Sequence, residues 1–340
     1  MATLAIVDGK VWARPGATAV AIEGERIVSV GQGRFGATRV IDADGCWILP
    51  AFNDAHVHFL MASRALGKLD LFGVTALEDI ESRITEYARA QDSGWIVGRG
   101  WLYSAFPGGM PTVDLLDRLV PDVPAYIESF DAHTGWANSR ALAIAHAPER
   151  AVLKEAAMSI VTRHIPAPTT EEDLDALRAG LRLAASHGIG SVQEAGDGES
   201  QLRLWESLRA SGELTLRVRL AFDLTPQTSV ARLGTARQGD EWISTGILKV
   251  FADGVAESWT AAMLEPYTNS EERGEPLWSG NELATAVRDA DELGWQVQVH
   301  AIGDAAIRQA LDAFEGRTPG RRHRIEHIET PDPSDLPRFA

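Results

Sequence analysis

The sequence predicts an α/β protein built on a (β/α) barrel of the TIM type. Three observations carry that prediction. From about residue 171 onward, strand-like and helix-like stretches alternate, as a parallel sheet with crossover helices requires. His56, His58, Lys249, His300 and His327 lie on or at the ends of strand-like stretches, where such barrels keep their chemistry. Ahead of the alternating region, residues 3–50 read as short strands with tight turns and carry no visible chemistry.

Size and charge narrow the classes. A chain of 340 residues with 45% hydrophobic content can bury a large core, or one large domain plus a small one. The net charge of −16 leaves no basic face for phosphates, so nucleic acid is not expected as a partner. The single cysteine, Cys46, cannot form an internal disulfide and is expected to be a small buried hydrophobe. The N-terminal residues show no basic region followed by a long apolar stretch, and nowhere is there a run fit to span a bilayer. The expectation is a cytoplasmic protein acting on a small molecule, with no membrane partner.

In order along the chain, Leu4–Val7 reads as a strand ended by a hairpin-type turn at Asp8-Gly9. Strands at Ala19–Ile22, Ile27–Val30, Val40–Ile41 and Cys46–Leu49 complete the first module. Residues 60–170 are mixed, with helices at Leu77–Arg89 and Asn138–Ala147, and strands at Trp95–Gly98 and Ala125–Glu128. Thr170-Glu-Glu-Asp173 carries a capping signal for a helix running to about His187. Strands then follow at Gly188–Ala195, Leu214–Phe222, Gly246–Asp253, Trp295–His300 and Arg324–His327. Helices between them fall at Glu199–Ser211, Val230–Gly234, Asn281–Leu293 and Asp304–Phe314.

The chemistry begins at His56 and His58. Alternate residues of a strand point the same way, so a His-x-His there aims two imidazoles at one place. The pair is a start on a metal site, and equally compatible with two surface histidines in a hairpin. His300 closes the strand-like run Val297-Gln-Val-His300, and His327 closes Arg324-Ile-Glu-His327. Lys249 sits inside Ile247-Leu-Lys-Val-Phe251, where an ammonium is costly to bury. Either it snorkels to water, or it is a neutral amine that has reacted with carbon dioxide. The resulting carbamate is an anionic ligand able to bridge two metal ions.

Four segments together resemble the amidohydrolase superfamily, and within it the YtcJ-like branch of metal-dependent hydrolases (amidohydrolase family 3). They are Phe52-Asn-Asp-Ala-His-Val-His-Phe59, Lys249-Val-Phe-Ala-Asp-Gly254 with Thr260–Tyr267, Val299-His-Ala-Ile-Gly-Asp304, and Arg324-Ile-Glu-His327. Asp131-Ala-His-Thr-Gly-Trp-Ala-Asn-Ser139 fits the same branch more weakly. The resemblance implies a β-sandwich portion over residues 1–50 and a hydrolase barrel over 51–340, with an insertion at about 60–170 after the first barrel strand. It implies two divalent metal ions, zinc above all, with His56 and His58 on one and His300 and His327 on the other. Lys249, as N6-carboxylysine, would bridge them. His300 and His327 would also polarise the substrate, an amide or related non-peptide C–N bond.

The same resemblance places an aspartate at the end of an eighth barrel strand, and by count His327 ends strand six. The barrel is therefore expected to be incomplete after strand six, the chain to be a truncated form of a longer enzyme, and its activity to be impaired. Loss of a general acid–base group costs about 10²–10⁴ in rate. Open sheet edges favour association, so a homo-oligomer is among the expected partners. Ester or lactone hydrolysis, or metal binding without turnover, are the other readings. His133, Trp101, Asp253 and Glu257 are the candidates for substrate contact, with a structural hydrogen bond equally open for His133 and the orienting of a metal ligand open for Asp253, and His323 is read as structural.

Overall fold

The computed structural model of the chain describes residues 2–91, 94–130, 134–147, 152–228, 230–236, 239–256, 259–268 and 270–339. The chain divides into two compact units. The first comprises Met1–Asp54 with His187–Ser191, the second Ala55–Ser186 with Val192–Ala340.

The first unit holds β1 (Ala2–Val7), β2 (Lys10–Val11), β3 (Ala19–Glu23), β4 (Arg26–Gly31), β5 (Ala37–Asp42) and β6 (Trp47–Ile48). Four of these form a sheet in the order β4-β3-β1-β5, with β1 antiparallel to β3 and parallel to β5. Ala5 and Val7, two apart and on one face, are buried with Ala19. Asp8-Gly9 does not close a hairpin. Asp8 takes φ 56° and turns the chain out of the sheet, and β2 pairs in parallel with β6 instead. Cys46 lies at the start of that two-stranded ribbon and is exposed, not buried as expected, because so short a ribbon has no interior.

The second unit takes up the chain within β7 (Phe52–Val57) and continues into α1 (Phe59–Leu66). Next come β8 (Leu69–Asp70), α2 (Leu77–Arg89), β9 (Ile96–Trp101), α3 (Val113–Leu119), β10 (Ala125–Ser129), β11 (Thr134–Ala137), α4 (Ser139–Ile144), β12 (Val152–Lys154) and α5 (Ser159–Thr162). Strands β12-β11-β10-β9-β8 form a five-stranded sheet. Ile80 and Ile84, one helical turn apart on α2, close its core with Leu71, Ile96, Leu116 and Ile127. Strand β11 has no alternating pattern to announce it. Antiparallel pairing with β10, Ile127 opposite Trp136, holds it there.

The alternating region gives α6 (Thr170–Ser186), β13 (Ile189–Glu194), α7 (Gly198–Ala210), β14 (Arg217–Asp223), α8 (Val230–Leu233), β15 (Ile243–Phe251), α9 (Glu282–Glu292), β16 (Gln296–Ala301), α10 (Asp304–Phe314) and β17 (Arg324–His327). The capping box of α6 lies one residue earlier than the sequence suggested. Thr169 Oγ1 accepts from Glu172 N at 3.3 Å, and Glu172 Oε2 accepts from Thr169 N at 2.7 Å. The six-stranded sheet runs β17-β16-β15-β14-β13-β7, and β14 to β17 are mutually parallel.

Alternation sorts the two faces of this sheet. In β16, Val297 and Val299 join the core with Val287 of α9 and Ile307 of α10. Gln296, Gln298 and His300 take the other face. That face is concave. Six flat strands would separate the two edges by about 24 Å at about 4.8 Å per step. Yet His56 Nδ1 of β7 lies 2.9 Å from Glu326 Oε2 of β17, and Arg324 Nη2 donates to Ala55 O at 3.2 Å. The edges have curled until their C-terminal ends meet. Among the described residues, no helix is long and apolar enough to cross a membrane.

The turn after β16 is held tightly. Asp253, just past β15, accepts from Ala262 N (3.0 Å), Ile302 N (3.1 Å) and Gly303 N (2.8 Å). A Cβ on Gly303 would stand 2.0 Å from Ala262 O, with the backbone of Ala262 unable to retreat. Gly303→Ala is therefore expected to lower stability by about 2–3 kcal/mol. A urea midpoint equal to that of the parent would show instead that the 262 segment yields.

Candidate metal centre

Lys249 occupies the middle of the concave face. Its strand is buried from Thr245 to Val250, and the side chain is 1% exposed. Parallel register sets Asp223, Lys249, Gln298 and Arg324 at one level across four strands. The next level holds Phe251, His300 and Glu326. Among the described residues Lys249 Nζ has no hydrogen-bond partner, and it lies 4.8 Å from the centroid of the Phe251 ring. Burial brings its pKa from 10.5 down to about 8, against the attraction of Glu326 and Asp223.

Four imidazoles gather here. His56 lies on β7. His58 lies one residue beyond it, as the residue preceding α1. Ring centroids are 6.0 Å apart for His56 and His58, 5.2 Å for His56 and His327, and 4.5 Å for His300 and His327. Glu326 and His327 are consecutive, and in a regular strand they would face opposite ways. Left-handed backbone at His327 (φ 73°) and Ile328 (φ 54°) ends the alternation and brings both to the site. Such a conformation costs about 1–3 kcal/mol, and strain of this kind gathers at functional positions. Burial lowers the pKa of His58 and His300, and that of His327 to about 4. These three rings are therefore neutral at pH 7.

Three of the histidines have a carboxylate of their own. Glu326 Oε2 lies 2.9 Å from His56 Nδ1. Burial pushes that carboxyl up, but the His56 hydrogen bond and the Arg324 charge outweigh it and hold it below its ordinary value. Glu194, 1% exposed at the end of β13, accepts from Leu60 N at 3.1 Å, with its other oxygen 3.9 Å from His58 Nδ1. Burial raises its pKa to about 7. Asp253 Oδ1 is 3.6 Å from His300 Nε2, which bonds Gly254 O at 3.0 Å. Gln298 links inward, bonding His56 Nδ1 at 2.9 Å and the amide of Gln193. Among the described residues Asp223 Oδ1 is buried without a partner, and burial lifts that carboxyl to about 6. Among the described residues, no three His, Cys, Asp or Glu side chains are set to hold an ion by themselves.

The structure thus brings His56, His58, Lys249, His300 and His327 to one concave face. The weaker candidates fare differently. Asp253 is buried and spends both oxygens on main-chain N–H groups, so it braces the loop beside His300 and does not face a substrate. Trp101 is 0% exposed in the core of the five-stranded sheet, its indole N–H given to Ile127 O, and it is a core residue. His133 and Glu257 lie outside the described residues. His323 is structural, as read: Nδ1 accepts from Val297 N and the ring stacks on Phe314. Glu194, Asp223 and Gln298 escaped the sequence reading, although the first two end apolar strands, which was the signal available.

The comparisons with known proteins agree with this architecture. The family model described as "Amidohydrolase family" matches residues 39–340. Protein LONG AFTER FAR-RED 3 of Arabidopsis thaliana is 26% identical over all of this chain and 66% of its own length. The Bacillus subtilis (strain 168) protein named "Putative amidohydrolase YtcJ" is 28% identical over 89% of this chain and 62% of its own. The chain therefore spans a little under two thirds of the length of these relatives. A solved structure, an uncharacterized metal-dependent hydrolase from Pyrococcus horikoshii OT3, superposes with a TM-score of 0.78 at 24% identity. That superposition covers 98% of this chain and 72% of the other. With a family model matched across most of its length, the chain belongs to the amidohydrolase family.

Proposed function

We propose that this chain carries the metal site of a hydrolase that cleaves an amide or related C–N bond in a small molecule. The observation that carries this reading is Lys249, a buried amine without a hydrogen-bond partner among the described residues, on the face where four imidazoles gather. Buried polar groups are nearly always satisfied, so an orphaned amine asks for an explanation. A pKa of about 8 leaves a usable fraction of neutral amine near neutral pH. The neutral nitrogen adds to carbon dioxide, an N–C bond forms, and one proton leaves to solvent. Counting the proton the ammonium gives up beforehand, two protons leave in all, the cation becomes an anion with two oxygen donors, and the donor set that the described His, Cys, Asp and Glu residues do not complete alone gains its missing member.

His56 and His58 would hold one ion, His300 and His327 a second, with carboxylated Lys249 between. Imidazole and carboxylate donors suit zinc, and also iron, manganese, cobalt or nickel. Divalent ions there would lower the pKa of a bound water from 15.7 to about 7 and polarise a carbonyl oxygen. The remaining work falls to the chain itself. Burial keeps His58, His300 and His327 neutral, the form in which an imidazole offers a lone pair. Three main-chain N–H groups donate to Asp253 and fix the loop whose Gly254 carbonyl accepts from His300 Nε2, leaving Nδ1 to bind.

Elemental analysis after exhaustive dialysis, on protein prepared with zinc and bicarbonate, is expected to find about two ions per chain. Absence of bound metal would sink the reading. Lys249→Met is expected to abolish that binding and to stabilise the metal-free chain at pH 7 by on the order of 3 kcal/mol. The folded-state pKa of about 8 lies below the unfolded value of 10.5, so the unfolded chain binds the extra proton between them. The parent should therefore gain stability as pH rises from 8 to 10.5, and the advantage of the variant should vanish above that window. Equal urea midpoints at pH 7 would show that the amine is not a buried charge.

A further inference from the structure

We infer that Glu326 is a positioning residue that fixes the tautomer and orientation of His56, so that its Nε2 carries the lone pair turned toward a metal. The inference rests on the metal-site reading above. Glu326 Oε2 lies 2.9 Å from His56 Nδ1, and Oε1 lies 2.9 Å from Arg324 Nη2. Arg324 in turn donates to Ala55 O, the carbonyl just before His56. The chain of contacts therefore starts and ends on β7, and pins both the backbone and the ring of one residue. An ionised carboxylate only accepts, and the guanidinium beside it favours that form. The proton must then sit on Nδ1. Gln298 Nε2 faces the same nitrogen while its Oε1 accepts from Gln193 Nε2; turned over together, the two amides keep their mutual bond and present the Gln298 oxygen to Nδ1, since nitrogen and oxygen are assigned from the network.

The chemistry explains why this matters. A free imidazole exchanges its proton between two nitrogens, and only the unprotonated one binds a metal. A carboxylate on the far nitrogen settles the choice, holds the ring plane and raises the basicity of the ligand. His56 sits on an edge strand, bridged to the opposite edge by these side chains. Its ring accordingly depends on Glu326 for its setting more than His300 does, inside the sheet.

The test separates this role from simple packing. In the metal-free full chain, ¹⁵N spectra of labelled histidine, with His56 assigned by the signal lost in His56→Asn, should show the Nδ1–H form. Glu326→Ala should give a tautomer mixture and metal affinity about 10–100-fold weaker by chelator competition. Glu326→Gln, whose amide oxygen still accepts, should keep the Nδ1–H form and lose less affinity. A wild-type His56 in the Nε2–H form overturns the inference with no variant needed. A folded Glu326→Ala chain with unchanged tautomer and affinity overturns it too. If Glu326→Ala does not fold, the wild-type and Glu326→Gln spectra decide. If wild type binds no metal, the metal-site reading fails, while the spectra still report whether Glu326 sets His56.

Discussion

Curling of the parallel sheet is the constraint on which the site depends. A flat sheet would hold His56 and Glu326 at opposite edges, far out of contact, and the curl brings them to 2.9 Å. The curl follows from the twist of parallel strands and from helices packed against the outer face, where Val297 and Val299 meet α9 and α10. Once the concave face exists, period-two alternation fills it in levels. Asp223, Lys249, Gln298 and Arg324 make one level, and His300 with Glu326 stand on the next.

A polar interior of this kind is costly, and the structure distributes the cost unevenly. Glu194 accepts a hydrogen bond, yet burial still raises its pKa to about 7, while Glu326 and Asp253 find hydrogen-bond partners that largely offset their burial. Lys249 Nζ and Asp223 Oδ1 do not. Left-handed backbone at His327 adds strain in the same place. Stability is given up where the imidazoles gather, while the helix-facing side of the same strands is packed with aliphatic side chains. A protein selected for stability alone would fill the concave face in the same way.

The elements most readily read from the sequence were those whose local pattern agrees with their tertiary setting. Leu77–Arg89 and Asp304–Phe314 are helices over the residues expected, because a clear apolar stripe at helical spacing meets a core. Strand β11 was invisible because its pairing with β10, and not its composition, makes it a strand. The Asp8-Gly9 turn misled for the opposite reason. Its local chemistry suits a hairpin, but β1 finds its partners in β3 and β5.

By itself the sequence determined which residues could do chemistry and on which strands they ride. His-x-His before α1, a lysine within an apolar strand, and histidines closing two further strands are facts of order and periodicity. Only the tertiary structure decided what surrounds them. It emptied the neighbourhood of Lys249 Nζ of partners, assigned Glu326 to His56, turned Asp253 onto three backbone N–H groups and put Trp101 in a core. These contacts join residues up to 270 positions apart. No local pattern encodes them, because they arise from strand register and sheet curvature, which the chain acquires only when the whole sheet closes on its core.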